Sequence, residues 1–225
     1  MAKRILNMTA EEMTHATKSE LIEAIAGSEG RVLASETIGI TIPLLTDVTN
    51  AEFAASMGAD LILLNMFDVQ EPKIMALPEV EKEETVREVK RLTGRMVGIN
   101  LEPVEESYAS DNKETLWEMS AGRYATVENA IQAQKMGVDL IVLTGNPGNG
   151  VSNPAIISSL KAISEAVGEK IMLAAGKMHA SGIIGEGGEN IITKEDIRQF
   201  AEAGADIILL PAPGTVPGIT TEYVR

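Results

Sequence analysis

The apolar positions of this chain change period again and again. In three segments, NAEFAASMGADLILLN from Asn50, NAIQAQKMGVDLIVLTG from Asn129 and DIRQFAEAGADIILLPA from Asp196, apolar residues first recur at helical spacing and then run together without a break. The first pattern is that of an amphipathic helix, the second that of a parallel strand buried on both faces. The segments align without gaps through their core, each reading helix, glycine, small residue, aspartate, strand. Gly58, Gly137 and Gly204 fall where a helix ends and positive φ is tolerated, so they read as structural stops.

A second set of apolar runs lies between these units, each opened by a cation: Arg31 to Glu36, Arg95 to Asn100 and Lys170 to Ala175. Strands are therefore expected near 31–36, 60–65, 95–101, 139–144, 170–175 and 206–210, with helices near 48–57, 80–92, 126–136, 154–167 and 193–203. Such alternation implies a parallel sheet with right-handed crossovers. A doubly wound open sheet has no reason to repeat every two β/α units, whereas a barrel of four such pairs does. The fold class expected is α/β, a TIM (β/α)8-type barrel with about six β/α units present and the last two missing. The final residues, Thr220 to Arg225, read as the first turn of a further helix. Two strands short, such a barrel would expose the edges of its first and sixth strands, so the expectation is a truncated chain, an open six-stranded sheet, or edges covered in a homo-oligomer.

Thr9 and Glu12 fit a capping box, and a second short helical pattern starts at Ser19. Residues 1–30 are accordingly read as an N-terminal helical cover over the N-terminal end of the sheet, and 31–225 as the barrel domain, incomplete at its C-terminus. No linker or composition break suggests another domain.

Composition narrows the chemistry. With 225 residues and 44% hydrophobic content, the chain can bury one large core. No run approaches the roughly 18 apolar residues of a membrane span, and the N-terminus lacks a signal sequence, so a cytoplasmic protein with no membrane partner is expected. The absence of cysteine removes disulfides, thiolate nucleophiles and cysteine metal ligands. A net charge of −14 and 3% aromatic content argue against nucleic acid as a partner. The acidic run from Glu79 to Glu84 reads as solvated surface.

A barrel's site is built from strand C-terminal ends and the loops that follow, so position is the first filter. It selects Glu36 after the first strand, Asn65 and Asp68 after the second, Asn100 and Glu102 after the third, Thr144 and Asn146 after the fourth, and Lys177 and His179 after the fifth. Glu36, Asp68 and Glu102 are candidate ligands for Mg²⁺ or Mn²⁺, hard cations that take oxygen donors; the alternative is that they cap helices or pair with lysines at the rim. In AAGKMHASG, Lys177 and His179 alternate to one side of an extended chain. Lys177 is a candidate Schiff-base residue or anion clamp, and His179 a candidate acid/base group, against a satisfied loop histidine. His15, on the leading helix, reads as surface. The loop TGNPGNGVSNP from Thr144, with Asn146, Gly148 and Gly150, runs into a helix whose cap and first position suit Asn153 and Pro154. Its amides are candidates to hold a phosphate or carboxylate, although the pattern is neither a Walker loop nor a dinucleotide fingerprint. The long connection after the third strand carries Tyr108, Trp117, Arg123 and Tyr124 and reads as a lid or a subunit contact.

The blocks DVTNAEFAASMGADLILLNMFDVQEP, LTGNPGNGVSNPAI and AAGKMHASGII resemble an uncharacterised bacterial family of TIM-barrel proteins labelled phosphoenolpyruvate phosphonomutase-like or haloacid dehalogenase-like. The resemblance covers essentially the whole chain and implies the barrel fold more than an activity. Phosphonomutases resemble one another in an Asp-x-Asp metal pair and a catalytic cysteine loop, and this chain has neither. Taken together, these features lead to the expectation of a lyase or isomerase acting on a small phosphorylated or carboxylated carbonyl compound, a sugar phosphate or keto acid, with a small anionic metabolite as its partner. The alternative is a non-catalytic ligand-binding or assembly protein.

Overall fold

The computed structural model describes residues 3–105, 119–144, 150–176, 193–214 and 220–225. Six parallel strands form one curled sheet in the order β1-β2-β3-β4-β5-β6: β1 (Ala34–Ile38), β2 (Leu61–Asn65), β3 (Met96–Leu101), β4 (Leu140–Leu143), β5 (Met172–Gly176) and β6 (Ile207–Leu209). Consecutive order is what a barrel requires, since a doubly wound sheet reverses its order part-way. The helices between the strands are α3 (Asn50–Ser56), α4 (Thr85–Thr93), α5 (Val127–Met136), α6 (Asn153–Val167) and α7 (Lys194–Glu202). Two shorter helices, α1 (Ala10–His15) and α2 (Lys18–Gly27), precede the sheet, and α8 (Thr221–Val224) ends the chain.

The repeated Gly-x-Asp has a mechanical meaning that the alignment alone does not show. The glycines stop their helices with φ of 103°, 89° and 107° at Gly58, Gly137 and Gly204. Each following aspartate then clamps the strand before its own. Asp60 Oδ2 accepts from Leu33 N at 2.9 Å, Asp139 Oδ2 from Val97 N at 2.9 Å and Asp206 Oδ2 from Leu173 N at 2.8 Å. In return the three aspartate amides donate to the same residues' carbonyls, each at 2.8 Å. The start of each strand pair is thereby pinned, and the register that follows (Ala34↔Leu61, Gly98↔Leu140, Ala174↔Ile207) is set.

Side chains alternate across the sheet and divide the core in two. Ile62, Leu64, Val97, Ile99, Ile141 and Leu173 pack under the helical layer with Val86, Met136, Ile156 and Phe200. Leu61, Leu63, Met96, Leu140, Val142 and Met172 form the other face, which is joined by Ile5, Met13, Leu21 and Ala24 from the N-terminal segment. Leu61, Met96, Leu140 and Met172 stand at the beginnings of their strands, and Met13 of α1 and Leu21 and Ala24 of α2 share their cluster. Thr9 caps α1 and Thr17 caps α2, each in a full capping box.

Three local expectations are corrected. The first strand runs to Ile38, so Glu36 lies within it and not at its end. The helix expected from residue 80 begins as a 3-10 turn, Lys82–Glu84, before α4, because Glu79 to Glu84 are exposed and have no apolar stripe to bury. Ser152, not Asn153, is the N-cap of α6, its Oγ accepting from Ala155 N at 3.3 Å, and this moves Asn153 and Pro154 into the first turn.

Among the described residues, β1 and β6 each pair on one side only. A groove of about 500 Å³ runs between β1 and α3, lined by Leu33, Thr37, Phe53 and Met57. Beside it Ile42 and Leu44 are 84% and 71% exposed. No helix among the described residues is long and apolar enough to cross a membrane.

Candidate functional site

The C-terminal ends of β1, β2 and β3 carry a connected row of polar side chains. Asn65 is the last residue of β2, and Asn100 follows, one step past the Leu64↔Ile99 pair, near the end of β3. Asn100 Nδ2 donates to Asn65 Oδ1 at 3.1 Å. Asn65 Nδ2 donates to Glu36 Oε1 at 2.5 Å, and Met66 N donates to Asn65 Oδ1 at 2.8 Å. Glu36 pairs in register with Leu63, so its side chain reaches two residues up the neighbouring strand to meet Asn65. Below the row, Gly98 leaves room for Leu63 and Leu140, whose atoms would lie 3.1–3.2 Å from a Cβ there.

Asn100 is 7% exposed, and among the described residues its Oδ1 has no hydrogen-bond partner. A buried amide oxygen left without a donor costs about 1–3 kcal/mol, so such an atom at a strand's C-terminal end calls for an explanation. Thr144, 3% exposed, stands at the corresponding end of β4.

The three candidate carboxylates do not converge. Glu36 is held by Asn65. Glu102 pairs with Arg123 at 2.5 Å, both side chains being about one-sixth exposed. The backbone supports this pair, since Glu102 N donates to Arg123 O and Ala125 N to Glu102 O. Asp68 is taken up by a local turn: its Oδ1 accepts from Gln70 N at 2.8 Å and Glu71 N at 3.0 Å. Burial works to raise the Asp68 pKa, but Ser120, the two turn amides and the Arg123 charge outweigh it and hold the carboxyl below its ordinary value. Among the described residues no group of three or more His, Asp or Glu is placed to hold a metal ion. The described donors thus do not fit the three-carboxylate cation site, and no chemical step is assigned to Mg²⁺ or Mn²⁺.

Arg123 was expected in a segment read as a lid or a subunit contact, with no role of its own. It is fixed by a weld between residues 119–125 and the loop after β2. Val69 N donates to Gly122 O, Gln70 Nε2 to Asn129 Oδ1, and Asn129 Nδ2 to Ala121 O and Tyr124 O. The available signal was Asp68 itself, since an aspartate two and three residues before the amides it accepts from is a turn signature. Gly150 is described, with φ 78°, and its carbonyl accepts from Glu105 N at 3.0 Å. Lys177, His179, Asn146 and Gly148, with Tyr108 and Trp117, lie outside the described residues.

A domain of unknown function, DUF7916, matches residues 6–225. The chain belongs to the DUF7916 family. No curated protein matches it in sequence. Among solved structures, the DUF7916 chain is similar to 2,3-dimethylmalate lyase, a PEP mutase/isocitrate lyase superfamily member, with TM-score 0.53 and 13% identity over 90% of this chain and 63% of that one. It is similar also to the carboxyl transferase domain of pyruvate carboxylase from Rhizobium etli, with TM-score 0.52 and 16% identity over 92% of this chain and 31% of that one. The DUF7916 chain thus spans less than two thirds of either relative, and at these identities the likeness shows the fold: a curled, partial TIM-type barrel.

Proposed function

We propose that this protein is a lyase or isomerase acting on a small phosphorylated or carboxylated carbonyl compound bound at the C-terminal end of the sheet. The observation that carries this reading is the buried Asn100 Oδ1 without a partner, at the inner end of the Glu36–Asn65–Asn100 row. A parallel barrel places its chemistry at this end, and a polar atom left unsatisfied there fits a ligand contact. The 2,3-dimethylmalate lyase of similar fold lends the lyase reading its class but no residue roles. In this proposal Lys177 binds or activates the carbonyl, His179 moves the proton, the amides of residues 144–153 hold the anionic group, and Asn65, Asn100 and Thr144 belong to the part of the site that meets the rest of the substrate.

The test is proton exchange next to the carbonyl, followed by NMR in D₂O with keto acids and sugar phosphates as probes. Enzyme-dependent deuterium incorporation that disappears in Lys177→Ala is the expected result. Incorporation with every probe at the uncatalysed rate would refute catalysis. It would favour a non-catalytic, assembling protein, which the exposed Ile42 and Leu44 beside the open edge of β1 support.

A further inference from the structure

The hydrogen bonds of the polar row run in one direction only, and that direction selects what can be bound. A carboxylate accepts and cannot donate, so Asn65 turns its Nδ2 toward Glu36. Met66 N, a backbone amide that can only donate, lies 2.8 Å from the other end of the Asn65 side chain and requires an oxygen there. Two independent neighbours therefore fix the same orientation of Asn65. Its Oδ1 in turn accepts from Asn100 Nδ2 at 3.1 Å, which turns the Asn100 amide so that Oδ1 is the atom left over. In general the two ends of an amide are interchangeable to a network, but here the network leaves no choice.

We infer that Asn65 is a positioning residue that locks Asn100 as a hydrogen-bond acceptor, so that the ligand meets it with an alcohol hydroxyl and not with a carbonyl, carboxylate or phosphate oxygen. The inference rests on the proposed site and narrows its substrate class. Beside its anionic group, the ligand carries a hydroxyl that inserts against β3. Ligand oxygens that only accept would face Asn100 Oδ1 with no proton between them, leaving both atoms desolvated and unpaired. A buried site built to pair with a hydroxyl rejects the analogue that lacks it far more strongly than an apolar pocket does.

The experiment measures the affinities of two matched pairs of compounds that differ in one hydroxyl against one carbonyl, malate with oxaloacetate and 3-phosphoglycerate with 3-phosphohydroxypyruvate. Binding is followed by calorimetry on the full chain and on the folded variants Asn100→Ala, Asn65→Ala and Asn65→Asp. In the wild type the hydroxyl member of a pair binds about 10–100-fold more tightly than its carbonyl partner. Asn100→Ala lowers the hydroxyl member's affinity. Asn65→Ala, which frees the Asn100 amide to turn over, brings the ratio below about threefold. Asn65→Asp still offers Asn100 an acceptor but meets Glu36 with a second carboxylate, so it keeps the preference at a lower affinity for both members, whereas a merely structural role for Asn65 would leave the ratio unchanged in Asn65→Ala. A wild type that binds the carbonyl member as tightly or more tightly overturns the inference and leaves the site standing, provided that binding is still lost in Asn100→Ala. A response to Mg²⁺ alone that vanishes in Asn100→Ala would also overturn it, by showing that the acceptor faces a cation. No binding of any of the four compounds, or binding indifferent to Asn100→Ala, overturns the site reading and the inference with it.

Discussion

The Lys90 ammonium lies 2.7 Å from the Asp139 carboxylate, and each side chain is only 11% exposed. Asp139 is also the clamp on Val97, and Lys90 reaches the carbonyl of Gly137, so one ion pair joins α4, the end of α5 and the start of β3. Burial raises the Asp139 pKa above the ordinary aspartate value, against the opposing pull of Lys90 and Val97 N–H.

Lys90→Ala is therefore predicted to cost about 3 kcal/mol at pH 7, because it strands a buried carboxylate. The sign with pH follows from the raised value. A carboxyl that is easier to protonate folded than unfolded favours the fold below its unfolded pKa and loses that contribution as pH rises through the folded one. Removing Lys90 raises the folded pKa further. The gap between variant and wild type should therefore be widest at neutral pH and close as pH falls toward about 4. Urea melts at several pH values check this; a gap that is constant with pH would contradict it.

Asn100→Leu removes a buried acceptor that has no partner and puts an apolar group of similar volume between Gly98 and the mouth. Its stability is expected to stay within about 1 kcal/mol of wild type, while ligand binding disappears. Thermal melts with and without ligand measure both effects. A large loss of stability would mean that Asn100 Oδ1 has a structural partner.

The weld of residues 119–125 should be sensitive to a single methyl group. A Cβ on the buried Gly122 would run into Asp68 Oδ1 and lie 2.8 Å from Gln70 N. Gly122→Ala is predicted to destabilise by about 1–3 kcal/mol through overpacking. Asp68, held below its ordinary pKa, contributes stability above its unfolded value that is lost as pH falls through the folded one. If Gly122→Ala breaks that network, its stability should fall less steeply with acid than the wild type's. Equal acid limbs would show that the carboxylate keeps its partners.

Ile42→Lys and Leu44→Lys replace side chains 84% and 71% exposed beside the open edge of β1. Each should leave the stability of the chain within about 0.5 kcal/mol of wild type and lower its self-association in sedimentation experiments. A fall in stability without a change in association would show that these residues pack within the chain.

Features that depend on neighbours in sequence were legible in advance. The glycine stops, the capping box of Thr9 and Glu12, and the six strands follow from periods and from residue types within one turn of each other. The repeated aspartates were visible, yet their clamping role was not, because each acts on a strand 27 to 42 residues earlier. The metal triad misled for a related reason. Glu36, Asp68 and Glu102 share one end of the sheet, but Asp68 is captured by a tight turn and by Ser120, and Glu102 by Arg123, 21 residues on. Asn65 and Asn100 could be named from position alone, whereas the orientation of their amides required Met66 N and Glu36 in three dimensions.

The central claim is a ligand site at the C-terminal ends of β1–β3, with Asn100 at its floor. Thermal-shift screening of phosphorylated and carboxylated carbonyl and hydroxy compounds, run side by side on wild type and Asn100→Ala, tests it most directly. The account predicts a compound that raises the wild-type melting temperature by several degrees, as a ligand near 100 Kd would, with the shift abolished in Asn100→Ala at unchanged unliganded stability. A shift of equal size in the variant, or none in either protein, would contradict it.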